Sequence, residues 1–254
     1  MTTAVTDGLT VTWRNLITIR RTPRLLVFAT VQPVIFVLMF RYVFGGAIRV
    51  PGGSYVDFMM PGIFAQTIVF GALNTGVGLA DDLQKGLIDR FRSLPMARSA
   101  VLVGRTSADL MRNVFVVLLM CVVGFAVGWR ISTSFLGFLG ALAVILAFSY
   151  SLSWVFAIVG LVSGDAETAQ AVSFPILAPL VFASSAFVPV NSMPGWLQAF
   201  AKNQPVSIAI DAVRSLVLGG QFADTGKVIA SLAWSIGIIA VFAPLAIRRY
   251  RRAA

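Results

Sequence analysis

The sequence predicts an all-α integral membrane protein with six transmembrane helices, and three observations carry that prediction. Hydrophobic residues fill 58% of the 254 positions and charged ones 12%, with a mean hydropathy of +0.88, against roughly a quarter charged in soluble domains. The apolar residues fall in runs near the ~20 residues a helix needs to cross hydrocarbon, unlike the alternating segments of about ten that build a β-barrel. Lys and Arg collect at the ends of those runs. The net charge of +10 therefore reads as a topology signal, and nucleic acid is not an expected partner.

The chain opens on an amphipathic segment. On a helix from Leu9 to Thr22, Leu9, Trp13, Leu16 and Ile17 form one face, with Arg14, Arg20 and Arg21 largely off it, and Pro23 ends it. Such a helix lies in the interface plane of a bilayer. Arg20-Arg21 imitates an export signal. The apolar run from Leu25 to Phe44 is too long for a signal core of about 7–15 residues, so it is a retained first helix.

The spans fall at about 25–44, 57–80, 106–128, 134–162, 170–190 and 228–247. The third starts polar: Arg105, Asp109 and Arg112 share one helix face, which predicts a helix projecting into the cytosol with its charges paired along the surface. The fourth is long enough to cross with a tilt. Pro33, Pro61, Pro175 and Pro179 bend or soften their helices, and Gly124 with Gly128 forms a small-xxx-small pair suited to close packing. Between the fifth and sixth spans, Pro194 and Pro205 start two short amphipathic helices at about 194–202 and 205–218, and Gly219-Gly220 ends the second. Each is too short to span, so both are expected to be re-entrant or interfacial. No internal repeat or linker divides the chain, which reads as one domain, 1–254.

Orientation follows from the basic residues. The N-terminal flank, the segment from Lys85 to Arg112 and the C-terminal Arg248, Arg249, Arg251 and Arg252 hold more than twice as many as the other side, where Arg41, Arg49, Arg130, Lys202, Arg214 and Lys227 lie. Positive-inside places both termini and the loop from Asp81 to Arg105 in the cytoplasm, with Trp129 and Trp196 at the outer interface.

Catalytic chemistry has little to work with. There is no His, and the single Cys121 sits in an apolar run as a small buried side chain. Asp81, Asp82, Asp165 and Glu167 stand at cytoplasmic span ends as surface charge. The stretch Gly220 to Lys227 imitates a phosphate loop, but its glycines are one residue too far apart and Val228 replaces the magnesium-binding Ser or Thr. The spans hold almost no ionisable residue at mid-depth, unlike ion-coupled carriers. Their polar residues are neutral, and Gln32, Gln66, Asn74, Ser149, Ser153, Ser184 and Ser185 are candidates for a path taken by a hydrophobic or amphiphilic substrate. Energy then has to come from outside. In the loop after the second span, Leu83, Leu87 and Phe91 recur at the spacing of a helix laid in a partner's groove, Leu94 continues the face and Pro95 stops it. Asp89, Arg90 and Arg92 set register by charge, and Lys85 and Ile88 belong to the same candidate coupling segment.

Four stretches carry a family resemblance: F-G-G-A-I (Phe44 to Ile48), Y-V-D-F-M-M-P-G-I (Tyr55 to Ile63), D-R-F-R-S-L-P-M-A-R-S-A-V-L-V-G-R (Asp89 to Arg105) and F-V-P-V-N-S-M-P-G-W-L-Q (Phe187 to Gln198). In these the chain resembles the membrane subunits of type-2 ABC exporters, most closely the daunorubicin-resistance permease group of actinobacteria. The resemblance implies an N-terminal interface helix, a cytoplasmic coupling helix from Leu83 to Pro95, a second cytoplasmic contact at Gly164 to Thr168, and external helices before the last span. It also implies a permease homodimer or heterodimer served by two copies of a separate ATP-binding subunit, which holds the ATP and Mg, this chain binding no cofactor. The chain departs from the family at Asn203-Gln204-Pro205, where Asn-Pro is usual. The expectation is a non-catalytic permease subunit of a drug, antibiotic or lipid exporter in the bacterial cytoplasmic membrane. A proton-coupled secondary drug transporter and a non-transporting immunity or anchor protein stay open as alternatives.

Overall fold

The computed structural model describes residues 12, 23–48, 50, 54–87 and 98–252, and among these all regular structure is helical. Helix α1 spans Pro23–Met39 and runs into one π-helical turn at Phe40–Phe44. It is followed by α2 (Tyr55–Gln84), α3 (Arg98–Ala126), α4 (Phe135–Ser163), α5 (Ala166–Phe182), the short α6 (Gly195–Asn203) and α7 (Pro205–Leu218), and α8 (Thr225–Arg252). Four of them, α2, α3, α4 and α8, are long and apolar enough to cross a membrane, and Thr30–Phe44 and α5 are shorter apolar helices. The long helices alternate in direction. One end of the bundle gathers Gln84, Arg98, Ser163 and Arg252, and is called the basic end below.

Local chemistry sets the helix limits. Ser54 caps α2, its Oγ accepting from the Val56 amide at 3.2 Å, and Ser134 caps α4 by accepting from Gly137 at 3.2 Å. Asp165 caps α5 by accepting from the Thr168 amide at 2.8 Å, with Glu167 adding negative charge to the first turn. Between α4 and α5 the chain reverses within two residues, and Gly164 allows this at φ 80°, where a side chain would be strained. Pro205 opens α7 at its first turn, where a missing N–H costs nothing.

The fifth helix is shorter than expected. A span over 170–190 was predicted, but α5 ends at Phe182, and its 17 residues reach about 25 Å at 1.5 Å each. The carbonyls that would have continued it are taken by other partners: Ser185 and Ala186 accept from Arg214, and Phe187 accepts from Tyr55 Oη at 3.0 Å.

Helix α2 is the axis of the bundle, with 83% of its apolar window buried, while α8 lies outermost with 11%. The main core packs α2 against α3, α4, α5 and α7 through Met59, Ile63, Phe64, Ile68, Met120 and Phe148. A smaller core at the basic end joins Leu79, Leu102, Trp154, Leu161 and Tyr250. Trp129, expected at a membrane interface, is fully buried against Phe64, Phe125 and Phe138, whereas Trp196 is 77% exposed. One close helix crossing is made by other glycines than those expected. A Cβ on Gly160 of α4 would lie 2.2 Å from the Gly76 carbonyl oxygen of α2, so these two backbones touch directly. Gly124 instead faces Met60 and Trp129, and Gly128 lies beyond the end of α3 at φ 100°.

Candidate functional site

At the basic end, α2 closes on charge. Lys85 Nζ donates to Asp81 at 2.6 Å, and this bond holds the ammonium above its usual 10.5. Leu83 packs on the smaller core beside Trp154 and Tyr250, and Leu87 is half-buried. The rest of the predicted coupling segment, Ile88, Asp89, Arg90, Phe91, Arg92, Leu94 and Pro95, lies outside the described residues. So do Leu9, Trp13, Leu16 and Ile17 of the predicted interface helix. Within that helix Thr12 is described, and its Oγ1 donates to the Gly104 carbonyl of α3 at 3.3 Å.

From this end a ladder of charge climbs between α2 and α3. Arg105 bonds Asp82 at 2.8 Å and approaches Asp109 at 3.6 Å, Asp109 pairs with Arg112 at 3.0 Å, and Arg112 donates to the Gly71 carbonyl at 2.7 Å. Two glycines of α2 make room for it. A Cβ on Gly78 would lie 1.6 Å from Arg105 Nη2, and one on Gly71 would lie 2.6 Å from Asn113 Oδ1. The expected i,i+4 pairing of Arg105 with Asp109 is present, but these charges are packed against α2 instead of lying along an open surface. Ala100, Leu102 and Thr106 at the start of α3 are buried, Asp109 is 3% exposed, and Gly71 lies thirteen residues in from the basic end of α2. Burial is tolerable because each charge meets an opposite one or a carbonyl.

The ladder ends at a cavity of about 270 Å³ between α1, α2, α3 and α5. Gln32 from α1, Gln66 and Asn74 from α2, Arg112 and Asn113 from α3, and Gln170 from α5 supply its polar wall. Phe70 and Phe174 stand on its apolar side with ring centroids 6.3 Å apart. Three of the sequence candidates, Gln32, Gln66 and Asn74, thus meet in one place. Ser149 lies behind the wall, accepting from Asn113 Nδ2 at 2.7 Å, and Ser153 sits one turn along α4, donating to the Ser149 carbonyl at 3.2 Å. Both serines are fully buried between helices.

Ser184 and Ser185 are at the opposite end, in a second polar cluster. Arg214 of α7, expected among the outward-facing basic residues, is 3% exposed. Its Nε donates to the Phe58 carbonyl at 3.1 Å, Nη1 to Asp211 at 3.0 Å, and Nη2 to the carbonyls of Ser185 and Ala186. The guanidinium also lies 3.6 Å from the centroid of the Phe58 ring. Ser185 Oγ donates to Asp211 at 2.9 Å, and Ser184 Oγ donates to Val181 and accepts from the Ala186 amide. Gln204, the residue inserted in Asn203-Gln204-Pro205, is buried and donates to the Ala183 carbonyl at 2.9 Å, tying the α6–α7 joint to the end of α5.

Arg112, Asn113, Gln170, Asp211 and Arg214 are not among the functional residues the sequence points to, whereas Ser184 and Ser185 of the second cluster are. The spacing of Arg105, Asp109 and Arg112 was the available signal for the first of these. For Arg214 the only local signal is Asp211 at i−3, and its acceptor on Phe58 is 156 positions away.

A profile of the ABC-2 type transporter family matches residues 7–218. The chain is 40% identical to a daunorubicin resistance ABC transporter permease of Streptomyces coeruleorubidus, over 98% of this chain and 87% of the relative. It is 31% identical to a probable doxorubicin resistance ABC transporter permease of Mycobacterium tuberculosis, over 89% and 81% respectively. A putative transport permease of the alga Porphyra purpurea is 26% identical over 84% of this chain and 74% of its own length.

Proposed function

The chain belongs to the ABC-2 type transporter family, and on that premise we propose that it is the non-catalytic permease subunit of an ATP-driven exporter. In this reading it forms one membrane domain of six spans, α1 to α5 and α8, with both termini and the basic end in the cytoplasm of a bacterial cell. A homodimer or heterodimer of permeases engages two copies of an ATP-binding subunit, which carries the ATP and Mg. The substrate is a hydrophobic or amphiphilic small molecule, as the names of the drug-resistance relatives suggest for those proteins. The coupling segment from Leu83 to Pro95 receives the motor, and Leu9 to Thr22 lies along the inner interface.

The observation that carries this reading is the ladder from Asp82 to Arg112. It joins the end of α2 that leads into the coupling segment to the cavity holding Gln32, Gln66 and Asn74. A push at Leu87 has a fixed, charge-paired route to the place where substrate polar groups would sit.

The test is Leu87→Asp. Insertion in the membrane should be unchanged, while pull-down of the ATP-binding subunit and ATP-dependent efflux should both be lost. Survival of both activities would remove the coupling role from this loop. Efflux that collapses with an uncoupler and ignores the ATPase would point to the proton-coupled alternative.

A further inference from the structure

The end of α8 carries charge that nothing in the chain answers. Arg248, Arg249 and Arg251 are exposed, and none of them makes an ion pair or hydrogen bond among the described residues. The helix itself holds no Asp or Glu. At the basic end Asp81, Asp82 and Asp165 already serve Lys85, Arg105 and the Thr168 amide. The direction of the arginines is fixed. Ala246 and Tyr250, one turn apart, are buried in the smaller core with Leu79, Leu102 and Trp154. Arg248 therefore lies on the opposite face of α8, with Arg249 and Arg251 to either side. Val241 and Leu245, 54% and 46% exposed, precede Arg248 on that same face. From Ile229 to Leu245 the exposed surface of the helix shows no polar group beyond the Trp234 indole, since Ser231 and Ser235 turn inward. A surface fit for lipid thus passes into arginine within one turn, about 4.5 Å along the axis. Arginine stems lie along apolar surface with the charged group at the level of the lipid heads, and their forked donors match phosphate oxygens.

We propose that Arg248, Arg249 and Arg251 form a docking surface for anionic phospholipid heads in the leaflet at the basic end. The proposal rests on α8 as a membrane span and not on the exporter reading. An acidic protein is the poorer fit, because the stripe that leads into the arginines is one that lipid covers. The docking has a consequence for the fold. Helix α8 is outermost, with 11% of its apolar window buried, and its Tyr250 packs in the core that Leu83 of α2 also joins. Heads held on one side of α8 steady Tyr250 on the other.

Full-length permease in a zwitterionic detergent is titrated with phosphatidylglycerol and with phosphatidylcholine carrying the same pyrene tail, read by energy transfer from its tryptophans. Each arginine near an anionic surface is worth about a fivefold gain, so at low salt the wild type should prefer phosphatidylglycerol by roughly a hundredfold. Changing any one arginine to Gln should cost about fivefold. Arg248→Gln, Arg249→Gln and Arg251→Gln together should abolish the preference, and the same three changed to Lys should keep most of it. Equal binding of the two lipids by the wild type, or a preference that survives the triple Gln change, overturns the proposal. Should the triple Gln variant not fold, the wild type decides alone: its preference must shrink as salt is raised, and a preference indifferent to salt overturns the proposal. Inorganic phosphate that displaces the labelled lipid as well as unlabelled phosphatidylglycerol does would assign the surface to a free anion, against the proposal. So would a triple Gln variant that keeps the lipid preference but no longer pulls down the ATP-binding subunit, which would give the surface to a protein.

Discussion

Arg214 fastens three parts of the chain with one side chain: the start of α2 through Phe58, the segment after α5 through Ser185 and Ala186, and its own helix through Asp211. A planar guanidinium can do this because its donors point in fixed directions. Removing one partner of such a buried pair costs roughly 3–5 kcal/mol, so Arg214→Ala should lower unfolding stability in detergent by about that much. Arg214→Lys should recover only part of it, because an ammonium cannot fork to the same carbonyls. At the other end of the bundle, Asp109→Asn should leave Arg105 and Arg112 sharing one uncharged amide, with a comparable loss. The sequence displayed the second cluster, since Arg105, Asp109 and Arg112 share a helix face, but not its placement. That depended on Asp82 and on glycines at 71 and 78 of another helix. Of the first cluster it showed only Ser184, Ser185 and the spacing of Asp211 and Arg214, because backbone carbonyls do not show in a residue pattern.

At the scale of elements, helix type and order were legible while helix ends and crossings were less so. Apolar runs and prolines located α1, α2, α4, α8 and the two short helices to within about five residues, while α3 begins at Arg98, eight residues before the expected start. The end of α5 depended on which carbonyls Arg214 and Tyr55 claim. Its start depends on Asp165, whose carboxyl the Thr168 amide holds below the usual 3.8. A depressed carboxyl stabilises the helix start at pH above the unfolded value and loses that effect as pH falls through the folded value. Amide exchange in the first turn of α5 should therefore accelerate in acid below about pH 4, and Asp165→Asn should flatten that dependence. The glycine pair read from the sequence, Gly124 and Gly128, follows a known spacing on one helix. The observed contact uses single glycines, Gly76 and Gly160, on two helices, and no spacing rule finds such a pair. Gly160→Ala would drive a methyl into the Gly76 carbonyl, at an expected cost of about 1–3 kcal/mol or more in thermal unfolding. Gly124→Ala meets the flexible end of Met60 and should cost less.

Across the molecule, two exposed surfaces among the described residues differ in kind. The outer face of α8 from Ile229 to Leu245, with Ile236 and Val241, is apolar, as lipid favours. The face formed by α1 and α5 mixes Ile35, Val172 and Ile176 with the exposed amides Gln32 and Gln170. Amides at that depth favour a protein neighbour, in keeping with the proposed dimer. Single cysteines at Ile35 or Ile176, in a Cys121→Ser background, should cross-link copies of a homodimer in membranes, and a cysteine at Ile236 should not. Helix α2 passes between these surfaces and touches α4 backbone to backbone at Gly76. That contact divides α2 unequally. About 12 Å of helix lies between it and Gln84, and about 32 Å between it and Tyr55, at 1.5 Å per residue. The crossing is thus placed as a fulcrum near one end of a beam. Any rigid rocking about it moves the Tyr55 end more than twice as far as the Gln84 end, so a small stroke at the basic end becomes a large one where Arg214 grips Phe58.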